Sequence, residues 1–348
     1  MPDPADFPPP AQHLRIRAAS GTVAARAVLN ALEGGRPIRL EPVSRHTSGS
    51  KLVSFSSDGS LIATTGRDGH TRVVDTVLRT LVAHHPSEPL DTSLRNLLAH
   101  TPDKLRTHIT AAAFCPAPRS TLLAVVEHRR VIILWDPLAE ETVRVGYTEG
   151  TYGITFSPDG RQLAAASRDG NIDIWNTASR THAARCALRP GHTSLAFHPD
   201  GNLLAIANPH TDVQLVLTDD GACTDFPDTS IGNGRAVAYS PDGTRLALTG
   251  DNGVHLWNTR SRRQVSTLAE GPHPAVSSGL AFSPDGALLA STSDSGAVHL
   301  WDTATDRLLA TLTGHTEAST NVAFSPDGSL LAATGKDGTV QLWTTPTG

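Results

Sequence analysis

Sulfur and lysine are scarce in this 348-residue chain, which holds three Cys, one Met and three Lys against 26 Arg, with aromatics at only 5%. Cys115, Cys186 and Cys223 are an odd set without CxxC spacing, which argues against a disulfide framework or a thiolate zinc cluster; reduced packing residues are the expectation. No apolar run approaches the ~18 residues of a spanning helix. The start, MPDPADFPPPAQ, lacks the basic and apolar parts of a secretory leader, so a cytoplasmic protein with no membrane contact is expected. A net charge of -5 provides no global basic field, and nucleic acid is not an expected partner. A GxxxxGK[ST] phosphate loop, a GxSxG elbow and an HExxH pair are all missing; the expectation is a non-enzyme with no cofactor and no metal. The arginine bias in an Ala-rich chain points to a high-GC bacterial genome.

Turn formers are abundant instead, with 29 Gly and 24 Pro. All five tryptophans, Trp135, Trp175, Trp257, Trp301 and Trp343, close an apolar run 18 to 21 residues after Phe114, Phe156, Tyr239, Phe282 and Phe324. Two further units, opened by Phe55 and Phe197, keep the spacing with Val74 and Val216 in place of Trp. Steps between the seven aromatics are 59, 42, 41, 42, 43 and 42 residues. A period of 40 to 45 with this ending marks propeller blades.

Within one unit, residues 321 to 343, a strand ending at Phe324 meets Ser325-Pro326-Asp327-Gly328, where Pro presets φ for a type I turn. Leu330 to Thr334 then reads as a buried strand, Gly335-Lys336-Asp337-Gly338 as a turn, and Thr339 to Trp343 as a third strand. Fourth, outer strands are expected at 77–82, 142–147, 182–188, 222–226, 264–268 and 308–312. The last unit ends too soon for its own, and residues 37–43 align where it belongs. The fold class is therefore all-β: a seven-bladed β-propeller of four-stranded antiparallel blades, the last completed by an N-terminal strand. Residues 37–348 form the propeller, with an insertion at 86–108 that contains a short amphipathic helix around Leu94, Leu97 and Leu98. Residues 1–36 comprise a disordered Pro-rich start and a helix over 22–33.

Trp135-Asp136, Trp301-Asp302, Gly314-His315 and the turn aspartates Asp68, Asp169, Asp251 and Asp337 resemble the WD-repeat family, here a seven-bladed propeller of bacterial type. The resemblance implies a buried set of His, strand Ser or Thr, turn Asp and Trp. His315, Asp337 and Trp343 carry it in the last blade, and the remaining tryptophans serve as structural residues. It further implies a binding face around the central channel. Contact positions four residues before each first-strand aromatic are Lys51, Thr110, Tyr152, Thr193, Arg235, Ser278 and Thr320. Lys51, Tyr152 and Arg235 are long or aromatic, and Arg67, Arg168 and Lys336 precede turn aspartates, giving a basic rim. Either the rim holds an acidic or phosphorylated segment, or these are good turn residues neutralised by the adjoining Asp. Several of the 16 histidines, His46, His273, His315, His255 and His299, occupy repeat-equivalent places and read as structural; His84-His85 reads as a solvent-facing pair, and Glu127 to Arg130 as a solvated turn.

Function is thus expected to be a non-catalytic, monomeric scaffold that binds a protein or peptide, in bacterial signalling or regulation. Two alternatives stay open. One is a propeller hydrolase or lactonase, which needs carboxylates and histidines converging at one channel mouth. The other is a regulatory or sensory domain that docks on a separate effector chain.

Overall fold

The computed structural model describes residues 38–39, 46–47, 49–66, 68–86, 109–128, 130–148, 150–191, 194–208, 213–226, 235–269 and 278–345. Within them 28 strands make seven antiparallel four-stranded sheets. Blade 1 is β2 (Ser50–Phe55), β3 (Leu61–Gly66), β4 (His70–Asp75) and β5 (Leu81–Pro86). Blade 2 is β6 (Ile109–Phe114), β7 (Leu123–Glu127), β8 (Val131–Asp136) and β9 (Glu141–Tyr147). Blade 3 is β10 (Thr151–Phe156), β11 (Gln162–Ser167), β12 (Asn171–Asn176) and β13 (His182–Ala187). Blade 4 is β14 (Ser194–Phe197), β15 (Leu203–Ala207), β16 (Gln214–Leu217) and β17 (Cys223–Asp225). Blade 5 is β18 (Val237–Tyr239), β19 (Arg245–Gly250), β20 (Gly253–Asn258) and β21 (Arg263–Leu268). Blade 6 is β22 (Leu280–Phe282), β23 (Leu288–Thr292), β24 (Val298–Asp302) and β25 (Arg307–Leu312). Blade 7 is β26 (Ser319–Phe324), β27 (Leu330–Gly335) and β28 (Val340–Thr344), closed by β1 (Ile38–Arg39). Ile38 lies opposite Leu342 and Arg39 opposite Gln341, so the N-terminal strand completes the last blade. The expected helices around 22–33 and 94–98, the rest of 37–43, and the Pro-rich start lie outside the described residues.

Each repeat aromatic ends the first strand of its blade, and the first strands touch in a closed ring: β2, β6, β10, β14, β18, β22, β26 and back to β2. Second strands such as Leu61–Gly66 and Leu123–Glu127 are buried throughout, as expected for strands covered on both faces. Outer strands alternate: in β13 only Ala184 and Cys186 are buried.

Blades meet through one recurring contact, in which an inward-facing residue of one outer strand packs on the Trp position of the next blade. His85 and Trp135 have ring centroids 5.0 Å apart, and Phe226 meets Trp257 edge-on at 6.0 Å. Leu268 shares a core cluster with Trp301, Leu312 with Trp343, and Cys186 with Val216. Gly146 lies so close to Trp175 that a Cβ there would fall 2.8 Å from the indole nitrogen.

The Ser-Pro-Asp-Gly turns add a second connection. In blade 6 the Ser283 hydroxyl donates to Asp285 Oδ1 at 2.5 Å and accepts from the Leu288 N–H at 2.9 Å. The equivalent hydroxyls of Ser56, Ser157 and Ser240 hold Asp58, Asp159 and Asp242 below the usual carboxylate range. Each Pro then sits over the Gly of the following blade: a methyl on Gly286 would lie 3.5 Å from Pro241 Cδ, and one on Gly328 3.5 Å from Pro284 Cδ. Two residues beyond the Trp position, a Thr hydroxyl closes the same turn, Thr177 donating to Gly160 O at 2.8 Å and Thr303 to Gly286 O at 2.6 Å. Blade 2, whose turn reads Cys115-Pro116-Ala117-Pro118, has Pro137 at that place. Hydroxyl and turn are lost together.

Five of the expected outer strands are found within a residue or so of their places. The first is displaced, from 77–82 to Leu81–Pro86. Asp75 Oδ1 accepts from the N–H groups of Val77 and Leu78 at 2.8 and 2.6 Å, which curls 76–79 into a turn ended by Arg79 at φ 55. The Asp of the Trp-Asp pairs does the same, Asp302 accepting from Ala304 and Thr305 at 2.8 Å each.

Deleting residues 1–46 removes β1 and His46 and leaves β28 as an open edge. The expected result is a melting temperature lower by on the order of 10 °C and a tendency to aggregate, read by calorimetry and light scattering. Unchanged melting would contradict closure by the N-terminal strand.

Candidate partner-binding face

The entries to the first strands and the turns between second and third strands lie together. Arg168 N–H donates to Gly150 O at 3.1 Å and Lys336 N–H to Ala318 O at 2.9 Å, tying each turn to the first-strand entry of its own blade. A methyl on Gly49 would lie 2.9 Å from Lys336 O, so the Lys336 turn also borders the entry to β2, where Lys51 is partly buried. Arg235, Arg168 and Lys336 are exposed. Arg235 is positioned by its backbone, whose N–H donates to the buried Thr249 hydroxyl at 2.9 Å. Thr292 receives Ser278 N–H in the same way at 3.3 Å. Thr320 turns inward, its hydroxyl donating to Ser50 O at 3.0 Å across the seam between blades 7 and 1. The structure therefore brings Lys51 near Lys336 and places Arg168 beside the β10 entry, while Arg235 stands apart on blade 5. Arg67, Thr193 and the side chains of Thr110 and Tyr152 lie outside the described residues.

Turn aspartates could have neutralised the basic rim, but those beside Arg168 and Lys336 are engaged elsewhere. Asp337 accepts from Thr316 N–H at 2.9 Å and Thr339 N–H at 3.0 Å, and its Oδ1 lies 3.2 Å from His315 Nδ1. Burial alone would raise its pKa, yet these backbone and hydroxyl bonds hold it below the ordinary value. Asp169 accepts from the Asn171 amide at 2.6 Å. Among the described residues no ion pair joins Arg168, Arg235 or Lys336 to a carboxylate.

Beneath this face, the buried polar set expected in the last blade is divided among three blades. Blade 7 carries His315, Asp337 and Trp343, with Ala333 at the strand hydroxyl place. Blade 1 carries the hydroxyl without the Trp: His46 lies 2.9 Å from Asp68 Oδ1 and 3.1 Å from Thr64 Oγ1, and Arg72 reaches Asp68 Oδ2 at 3.1 Å. Blade 6 keeps the other half, Trp301 Nε1 donating to Ser291 Oγ at 3.0 Å. In blade 5 the equivalent strand residue is Leu248, and the buried Trp257 Nε1 has no acceptor among the described residues. The strand residue nine after the aromatic, Thr64 or Ser291, is the signal that locates these sets in the sequence. Burial pushes Asp68 up, but the bond and charge of His46, then Arg72, bring its carboxyl well below its ordinary range.

Three sequence expectations are corrected. His85 is buried against Trp135, and only His84, 3.0 Å from His70 Nδ1, is exposed. Glu127 is buried too, 3.4 Å from His85 Nε2, and is not a solvated turn residue. Cys223 is exposed, whereas Cys115 and Cys186 are buried. The outer-strand place of His85 faces the next blade's indole, which buries it while the adjoining His84 stays exposed. Among the described residues no three His, Cys, Asp or Glu are grouped to hold a metal ion, and no helix is long and apolar enough to cross a membrane.

The family model for the WD domain, G-beta repeat, matches residues 41–75, 140–176, 230–258, 263–302 and 306–344, more than half of the chain. Protein LST8 homolog of Drosophila melanogaster is 28% identical over 179 residues, 48% of this chain and 51% of its own length. An uncharacterized WD repeat-containing protein of Synechocystis sp. is 31% identical over 148 residues, 40% of this chain and 42% of its own. Cell division cycle protein cdt2 of Schizosaccharomyces pombe is 25% identical over 244 residues, 63% and 48%. The chain spans about half, or less, of the length of these relatives. They come from an animal, a cyanobacterium and a yeast, so the likeness is not specifically bacterial.

Trp301→Phe strands the buried Ser291 hydroxyl, whereas Trp257→Phe removes an N–H that has no acceptor; the first should destabilise by about 1–2 kcal/mol more than the second in denaturant unfolding. Burial also holds His46 and His255 below their ordinary 6.5, despite the bonds of Asp68 and Gln264. The unfolded chain then takes up protons that the folded chain refuses, so stability falls as pH drops below 6.5. Melting scans between pH ~7.5 and ~5.5 should show this slope, and His46→Asn should flatten it.

Proposed function

Because this chain belongs to the WD-repeat family, whose propellers are non-catalytic interaction scaffolds, we propose that it binds an acidic or phosphorylated protein segment on the face carrying Lys51, Tyr152, Arg235, Arg67, Arg168 and Lys336. The observation that supports this is the separation of charges at the turns. Asp337 and Asp169 spend their oxygens on backbone and neighbouring groups, and Arg168, Lys336 and Arg235 extend into solvent. A carboxylate or phosphate meeting such side chains forms charge-assisted bonds, bidentate at arginine, and the partner is steered by charge before it docks. On this reading the protein is a monomeric cytoplasmic platform in a regulatory assembly, and the bacterial setting rests on its arginine-rich composition.

Affinity capture with the wild type and a Lys51/Tyr152/Arg235 triple Ala variant tests the face. The variant should lose the specific partner, and fluorescence anisotropy with that partner's acidic segment should show at least ~10-fold weaker binding, equivalent to losing one or two charge-assisted bonds. Arg168→Glu with Lys336→Glu should weaken it further and reduce its salt dependence. Identical partner lists for wild type and triple variant would reject this face.

A further inference from the structure

The seam between blades 3 and 4 departs from the others at two positions at once. On the blade 3 side, the place held by Leu268 in blade 5 and Leu312 in blade 6 is Cys186, opposite Ile172 in the sheet register. It is buried in a cluster with Phe197, Leu204, Ile206 and Val216 of blade 4. On the blade 4 side, Val216 replaces the usual Trp, and directly opposite it on the outer strand stands Cys223. Opposed residues of an antiparallel pair project from the same face, so Cys223 leaves blade 4 on the side that Val216 turns toward Cys186. The backbones meet there as well: a methyl on Gly221 would lie 2.8 Å from Arg185 O. The thiols are near enough that Cys223 adds to the rise of the Cys186 pKa caused first by burial.

We propose that Cys186 and Cys223 form a redox-active pair that closes to a disulfide across the seam, fastening the outer strand of blade 4 to that of blade 3. Val in place of Trp leaves the room that a second thiol needs. Opposite Val216, β17 is only three residues long with all its side chains exposed, and the cross-link supplies an anchor. The oxidant is a small disulfide such as oxidised glutathione. Cys223, the exposed thiol, attacks it as thiolate and releases one glutathione thiol; Cys186 then displaces the second. Two protein thiols lose two electrons and two protons, one S–S bond forms, and the oxidant is reduced to two thiols. Burial, followed by the neighbouring Cys223 thiol, pushes the Cys186 thiol up to about 12, so the second displacement is the slow one and quickens as pH rises.

The reduced full chain is incubated with oxidised glutathione, alkylated, unfolded and alkylated again. It is then digested at aspartates, which separates the two cysteines, for mass spectrometry without reductant. The expected product is a peptide pair linked through Cys186 and Cys223, with Cys115 alkylated on unfolding. Melting temperature should rise on the order of 5 °C, reversibly on reduction, and Cys223→Ser, which alters an exposed side chain, should abolish both results. Glutathione retained on Cys223 with Cys186 alkylated, or both cysteines alkylated, would overturn the proposal.

Discussion

The contact on which this structure depends is the cover that each outer strand gives to the Trp position of the following blade. A blade alone leaves one face of its third strand, with an indole of the largest apolar area available to any side chain, without a partner. The preceding blade supplies one. His85, Gly146, Phe226, Leu268 and Leu312 all perform this for an indole, despite having little in common as side chains. What they share is position at the end of an outer strand, within one residue of where it stops. A ring of such contacts has no first member unless something covers blade 1, which is why the short strand Ile38–Arg39 carries weight beyond its length. It gives blade 7 an outer strand and so gives blade 1 a neighbour of the same kind.

Turns repeat this logic at the other end of the blades. The Ser hydroxyl, the Asp carboxylate and the Thr after the Trp position fix each turn internally, and Pro then packs over the next blade's Gly. Seam and turn together account for most residues that recur. Buried hydrogen-bonded sets are a smaller contribution, since no blade has the whole set of His, hydroxyl, Asp and Trp. Blade 1 keeps a complete polar group around His46 without the indole, and blade 6 keeps indole and hydroxyl without the Asp. Apolar packing carries the ring, and the polar sets position particular loops.

Much of this was legible in residue spacing. Seven aromatics at near-constant intervals located every first strand, and the missing last strand pointed to the N-terminal segment. What spacing could not convey is contact between blades. His85 and Glu127 look solvated in sequence because they neighbour His84, Arg129 and Arg130, yet the geometry of the seam buries both. The shifted strand β5 has a local cause that was also hard to see: Val77 and Leu78 read as strand formers, but Asp75 captures their N–H groups first. The candidate face was legible only as positions; that Asp169 and Asp337 turn away from the neighbouring cations is a matter of hydrogen bonding that no spacing encodes.

A departure from the repeat can therefore be sorted by what lies across from it. Gly146 departs and Trp175 fills the space; Val216 departs and Cys186 and Cys223 meet beside it; Pro137 departs where the turn it would have closed is itself altered. Each of these changes is answered inside the ring, and its meaning is structural. Arg168, Arg235 and Lys336 are answered by nothing within the described residues. Charged side chains held on hydrogen-bonded backbone, with the aspartates beside Arg168 and Lys336 already satisfied, cost the ring little. On the proposed reading their contribution is made to a partner's surface, and that difference separates the scaffold of this propeller from the part that the partner would read.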